Sequence, residues 1–267
     1  MSKSTKIFVV EGEDRDLRFL NSLIRTFFKG KYEAQIISLS AGQNIYMLYN
    51  IMRKEGFDTD IVEILRDNIS DAREKLEGIT RQDVDEVFLF FDFDLHQDNL
   101  PSGFNKNPVD VLRELALFFD NETENGKLYI SYPMIEAAYD FNVDACVPFT
   151  QCYFPMEKIT QYKTLAGNGN SIASRHFDYN EWTEAIKSFA LRIQCLFNNS
   201  SIDYKWYREM ITVVNILEKQ VRFVEDYSSV FVLGACPEFL LDYFNTAFWV
   251  KHFRVINDFI GHCELQK

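Results

Sequence analysis

The chain lacks an excess of positive charge: its 267 residues carry 28 Lys and Arg against 40 Asp and Glu, which gives a net charge of −12. Non-specific affinity for nucleic acid comes mainly from Lys and Arg side chains that neutralise phosphates, so this balance disfavours a dedicated nucleic-acid binder. It does not exclude a nuclease, because a bound metal ion supplies positive charge locally.

Other features that the sequence lacks narrow the possible classes of protein further. There is no apolar run of about eighteen residues and no signal-peptide pattern, so we expect a cytoplasmic protein that does not contact a membrane. The five cysteines are scattered and form no C-x-x-C pair, which is typical of a reducing compartment and disfavours a zinc site. The glycine-containing stretch 165–171 lacks the spacing of a phosphate-binding loop, and no Ser-His-Asp pattern is visible.

The most informative stretch spans residues 86–96 and has the sequence EVFLFFDFDLH. Its large apolar residues do not alternate with polar ones, which predicts a strand buried on both faces. The strand ends in Asp92 and Asp94, which face the same way on extended backbone. Such close carboxylates repel each other, and a divalent cation is the simplest compensation. The alternatives are a strand that ends in a solvated loop and, for His96, an ordinary surface histidine instead of a metal ligand or proton shuttle.

A second apolar run, residues 6–10, ends in Glu11 and Gly12 and is followed by a helical repeat of apolar residues. Glu13, Asp14 and Asp16 suit the positive end of that helix. Glu11 differs because it ends a buried strand, and ligands of open α/β sheets bind outside the carboxyl ends of the strands. We therefore expect Glu11, Asp92 and Asp94 to converge on a Mg²⁺ or Mn²⁺ ion.

The rest of the first half repeats this alternation of strands and helices. We predict strands at 34–39 and 127–132, helices around 45–52 and 60–77, and a helix that begins at Pro108. Pro133 ends the last strand, so Glu136 follows at the same sheet edge. The alternative for Glu136 is a solvated glutamate in a first helical turn. The order predicts a parallel four-stranded α/β sheet with flanking helices.

The second half, residues 141–267, is predicted to be mainly helical and packed on an α/β domain of residues 1–140. We expect helices around 182–196 and 207–225 and a third that Pro237 opens. Its dense aromatic residues suit a core or a partner surface. Lys158 and Lys163 are the basic residues that could reach a scissile phosphate.

Val9-Val10-Glu11-Gly12 followed by acids, and then a hydrophobic strand that ends in Asp92-x-Asp94, resembles the Toprim domain over residues 5–140. This domain is shared by topoisomerases, bacterial primases and OLD-type defence nucleases. The resemblance implies that Glu11 acts in acid/base chemistry or metal binding and that Asp92 and Asp94 hold the metal. Glu136 resembles the extra acid of the OLD-type nucleases. Leu95-His96-Gln97 replaces the glycine that often follows the D-x-D, which disfavours the primase and topoisomerase branches.

The resemblance is to small stand-alone Toprim proteins of phage-defence operons, because the ATPase domain of full OLD proteins is absent. It implies a metal-dependent nuclease that cuts DNA or RNA, including tRNA, as a toxic antiviral effector, with a separate ATPase subunit as partner. A homodimer is one assembly that the sequence leaves open.

Two other functions stay open. The domain could be a regulatory or interaction module with a weak acidic site, which the net negative charge favours. It could also accept phosphate on an aspartate, although no lysine stands at the end of the last predicted strand, where such a pocket needs one.

Overall fold

The strand predicted at residues 86–92 is the central strand of a five-stranded sheet. A computed structural model describes residues 5–28, 30, 32–39, 44–93, 95, 106–140, 152–167, 177–199 and 203–253. The chain forms two compact units, Met1–Tyr129 and Ile130–Lys267. The sequence predicted a domain boundary at residue 140, and these units divide between Tyr129 and Ile130, inside a strand.

The sheet has the strand order β2-β1-β3-β5-β4. Its strands are β1 (Thr5–Val10), β2 (Glu33–Ser38), β3 (Val84–Asp92), β4 (Asp120–Asn121) and β5 (Gly126–Ser131). β1 runs parallel to both β2 and β3, and β4 runs antiparallel to β5. An α/β fold with a mainly parallel sheet is therefore confirmed, but the predicted number of four strands is wrong. The sequence did not predict β4, because two polar residues show no periodicity.

The helices of the first unit are α1 (Arg15–Leu23), α2 (Ile45–Lys54), α3 (Ile61–Asn68), α4 (Ser70–Lys75) and α5 (Pro108–Phe118). A π-helical turn, Ile24–Phe28, extends α1. The single helix predicted at 60–77 is wrong, because Ile69 adopts an extended conformation between α3 and α4 and is buried. The apolar residues on both sides of Ile69 keep the helical spacing, so the sequence pattern conceals the break.

The second unit is mainly helical, as predicted. Its α-helices are α6 (Tyr162–Gly167), α7 (Tyr179–Phe197), α8 (Tyr204–Met210), α9 (Val213–Tyr227), α10 (Ala235–Tyr243) and α11 (Thr246–Phe253). The helix predicted at 207–225 is two helices, because the Thr212 hydroxyl accepts from Asn215 N and starts α9 anew. An antiparallel strand pair that the sequence did not predict joins β6 (Tyr153–Pro155) to β7 (Ser229–Phe231). None of the described helices is both long and apolar enough to span a membrane.

The alignment of β1 with β3 rests on apolar packing and one buried ion pair. In β3, Val87–Phe91 are all at most 2% exposed, and the rings of Phe8 and Phe88 lie 5.3 Å apart across the two strands. Near the start of the strands Lys6 pairs with Glu86, its partner in the sheet register, and the Lys6 ammonium also lies over the Tyr32 ring. A shift of one residue would turn these side chains to the opposite faces, so together they specify one register.

Because the Lys6 side chain is only 4% exposed, removing its charge leaves Glu86 without its buried partner. We expect Lys6→Met to lower the free energy of unfolding by about 3 kcal/mol, and Lys6→Met combined with Glu86→Leu to recover most of that loss. Urea unfolding measures both. Lys205→Met, at an exposed pair with Glu209, is the control and should change little. Equal losses in the single and double variants would show that the pair does not contribute.

Candidate active site

Glu11 and Asp92 lie at the same edge of the sheet. β1 and β3 are adjacent and parallel, with Val10 opposite Phe90. Glu11 is the first residue after β1, and Asp92 is the last residue of β3. Both side chains are partly buried. The sequence predicts these two acids at one carboxyl edge, and the strand pairing places them there.

Neighbouring strands fix the backbone directly before Glu11. The Val10 carbonyl accepts a hydrogen bond of 2.9 Å from Leu39 N, just past the end of β2. On the other side of the sheet centre, the rings of Phe90 and Tyr129 stack with their centroids 5.4 Å apart. Glu11 therefore follows a strand that is hydrogen-bonded up to its last residue. A catalytic carboxylate needs such a fixed backbone.

The turn after Glu11 is closed by a carboxylate from α1. Gly12 N donates to Asp16 Oδ2 over 2.9 Å, and Asp16 is 7% exposed. A Cβ atom added at Gly12 would lie 3.0 Å from Asp16 Oδ1. The sequence predicts only that Asp16 favours the positive end of the helix, and this contact with Gly12 N is an additional role. The signal was a glycine at the strand end with an aspartate four residues later.

Asp94 and His96 lie outside the described residues, as do residues 97–105. Among the residues that the structure describes, no group of three or more His, Cys, Asp or Glu could hold a metal ion. Because the predicted ligand set includes Asp94, the described part of the site contains two of its three members. Those two, Glu11 and Asp92, supply the oxygen ligands that Mg²⁺ and Mn²⁺ prefer.

Lys106 is the first described residue after Leu95. A small polar cluster holds its side chain. Lys106 Nζ donates to the Tyr49 hydroxyl over 2.7 Å and also pairs with Glu114. Glu114, followed by Tyr49, raises the pKa of Lys106 above its ordinary value. The bonds from Lys106 and Tyr49 lower the pKa of Glu114. This cluster connects Lys106 to Tyr49 of α2 and to Glu114 of α5.

Glu136 belongs to the second unit, in a 3-10 turn (Ile135–Ala138) after β5. It is 1% exposed, so the alternative of a solvated glutamate is wrong. The Glu136 carbonyl accepts from Tyr139 N and Asp140 N, which fixes the turn. Lys158 and Lys163 also lie in this unit, and both are exposed. A role for these three residues at the site stays a prediction.

Comparison with protein-family models, curated proteins and solved structures finds no match to this chain. The resemblance to the Toprim domain therefore rests on the sequence motifs alone.

The contact between Gly12 and Asp16 leads to a prediction about the turn. We expect Gly12→Ala to displace the Asp16 carboxylate from Gly12 N and to lower the free energy of unfolding by about 1–3 kcal/mol. In an Asp16→Ala background the same substitution should cost much less, because its neighbour is gone. Thermal unfolding of the four proteins measures this coupling. Equal costs in both backgrounds would mean that Asp16 does not constrain Gly12.

Proposed function

We propose that the protein is a metal-dependent phosphodiesterase that cleaves DNA or RNA, including tRNA. The observation that carries the proposal is the position of Glu11 and Asp92 at the ends of adjacent parallel strands β1 and β3. Two acids at such an edge, after strands that are buried on both faces, are costly unless a cation or ligand compensates them.

The residues of the chain would divide the chemistry between them. Asp92, with Asp94, would hold Mg²⁺ or Mn²⁺, which stabilises charge on the phosphate and orients an in-line attack. Glu11 would be a further ligand or the base that takes a proton from the attacking water. The bond from Gly12 N to Asp16 keeps Glu11 in place at the strand end. Glu136 would hold a second ion.

The biological context follows from the resemblance to stand-alone Toprim proteins. The protein would be a toxic effector in antiviral defence, with a separate ATPase subunit of the same system as its partner. The net charge of −12 supports the need for a partner, because the chain offers few cations for binding nucleic acid by itself.

A second candidate is a regulatory or interaction module of such a defence complex, with a weak acidic site. The observation that favours it is again the acidic charge. It differs from the nuclease in one measurable respect, since a module without catalysis would cleave no nucleic acid even with its partner present.

The test is cleavage of plasmid DNA and of total tRNA by the purified protein with Mg²⁺, with Mn²⁺ and with chelator. We expect cleavage that needs the metal, and a loss of at least about 100-fold in rate for Glu11→Gln and for Asp92→Asn. The substrate that is cut decides between DNA and RNA.

Two exposed carboxylates provide matched controls. Glu13 lies two residues from Glu11, and Asp85 lies near the start of β3, so the control variants are Glu13→Gln and Asp85→Asn. Both should cleave as the unsubstituted protein does. Cleavage that survives chelator, or that Glu11→Gln and Asp92→Asn leave intact, would contradict the proposal. If no cleavage occurs, the assay is repeated with an ATPase encoded beside the protein, and continued absence favours the module.

A further inference from the structure

An arginine is buried in the second unit. Arg192 lies in α7 and is 2% exposed. Its Nη1 donates to the Val232 carbonyl over 2.9 Å. Nε and Nη2 are buried and have no hydrogen-bond acceptor among the described residues. These two nitrogens form the edge of the guanidinium that usually pairs with a carboxylate.

Arginine cannot lose its proton inside a protein, so the charge of Arg192 must be compensated by its surroundings. No ion-pair partner of Arg192 occurs among the described residues. Charges at longer range also act on this guanidinium, and their effect is strong where water is excluded.

Two carboxylates of this unit, Glu136 and Asp140, act on the same buried tyrosine as Arg192. The Tyr162 hydroxyl donates to Asp140 Oδ2 over 2.9 Å, and Tyr162 is 1% exposed. Burial and Asp140 raise the pKa of Tyr162 well above its ordinary value, Arg192 opposes this rise, and Glu136 adds to it. One guanidinium and two carboxylates thus act on a single buried hydroxyl.

The same residues are connected by packing. Tyr162, Val232 and Ala137 form one buried apolar cluster, so the residue that accepts from Arg192 and the residue that donates to Asp140 share a core with the turn that carries Glu136. A Cβ atom added at Gly234 would lie 3.1 Å from Ala138 Cα, which shows how closely the segment after Val232 approaches that turn. Asp140 N donates to the Glu136 carbonyl and closes the turn.

We propose that Arg192 is a positioning residue for Glu136. Its guanidinium, fixed on Val232, offsets the charge of the two carboxylates and, with Tyr162 and Asp140, holds the Glu136–Asp140 turn in one place. The inference deepens the proposed function and rests on it in one respect, namely that Glu136 holds a second ion.

The first arm of the test is thermal unfolding, which needs no activity. We expect Arg192→Met to lower Tm by roughly 6–12 °C, and Arg192→Lys, which keeps the charge, to lose about half as much. In an Asp140→Asn or a Glu136→Gln background the shift from Arg192→Met should shrink by at least about a third. The control is Lys187→Met on the same helix, where Lys187 pairs with Glu184, and it should leave Tm within about 2 °C. If Arg192→Met lowers Tm by the same amount in the Asp140→Asn and Glu136→Gln backgrounds as in the unsubstituted protein, the proposal is overturned.

The second arm separates positioning from stability and uses cleavage below the Tm of every variant. We expect Arg192→Met to raise the Mn²⁺ concentration for half-maximal cleavage about tenfold, Arg192→Lys to restore most of it, and Lys187→Met to change nothing. An unchanged Mn²⁺ requirement in Arg192→Met would overturn the positioning role. If the unsubstituted protein cleaves nothing, either alone or with the ATPase encoded beside it, the nuclease proposal fails, and the unfolding arm still decides whether Arg192 holds the turn.

Discussion

The register between β1 and β3 is the constraint on which the rest of the candidate site depends. Lys6 and Glu86 pair at one end of the two strands, the rings of Phe8 and Phe88 pack between them, and Glu11 and Asp92 leave at the other end. With Val10 opposite Phe90, Glu11 follows one residue after this pair and Asp92 two residues after it, and a shift of one residue would separate Lys6 from Glu86 and Phe8 from Phe88. The buried residues of the sheet thus determine where its carboxylates lie.

The parts of this fold that follow from local patterns could be predicted from the sequence. Buried parallel strands and amphipathic helices have distinctive periods, so β1, β2, β3 and α2 lie close to their predicted bounds, α5 begins at Pro108 as predicted, and α1 follows β1 as predicted. The break at Ile69 and the two-residue strand β4 could not be found, because an intact helical period spans the first and no period marks the second. Tertiary contacts decide both features.

Of the candidate site, too, only the features that follow from local patterns could be predicted from the sequence. The placement of Glu11 and Asp92 follows from strand ends, which the sequence shows, whereas the bond from Gly12 N to Asp16 depends on the angle between β1 and α1, which it does not show. Arg192 was missed because a single arginine in an amphipathic helix is indistinguishable in sequence from a solvated one. The burial of Arg192 beside Val232 becomes visible only when the second unit is folded.

The central claim is that Glu11 and Asp92 form one metal site, and direct Mn²⁺ binding tests it without reference to any substrate. Electron paramagnetic resonance of free Mn²⁺ during a titration with protein counts the bound ions. The account predicts saturable binding that is weakened at least about tenfold by Glu11→Gln and by Asp92→Asn, and that is unchanged by Asp85→Asn. If only one of Glu11→Gln and Asp92→Asn weakens Mn²⁺ binding and the other leaves it unchanged, the two acids do not form a shared site.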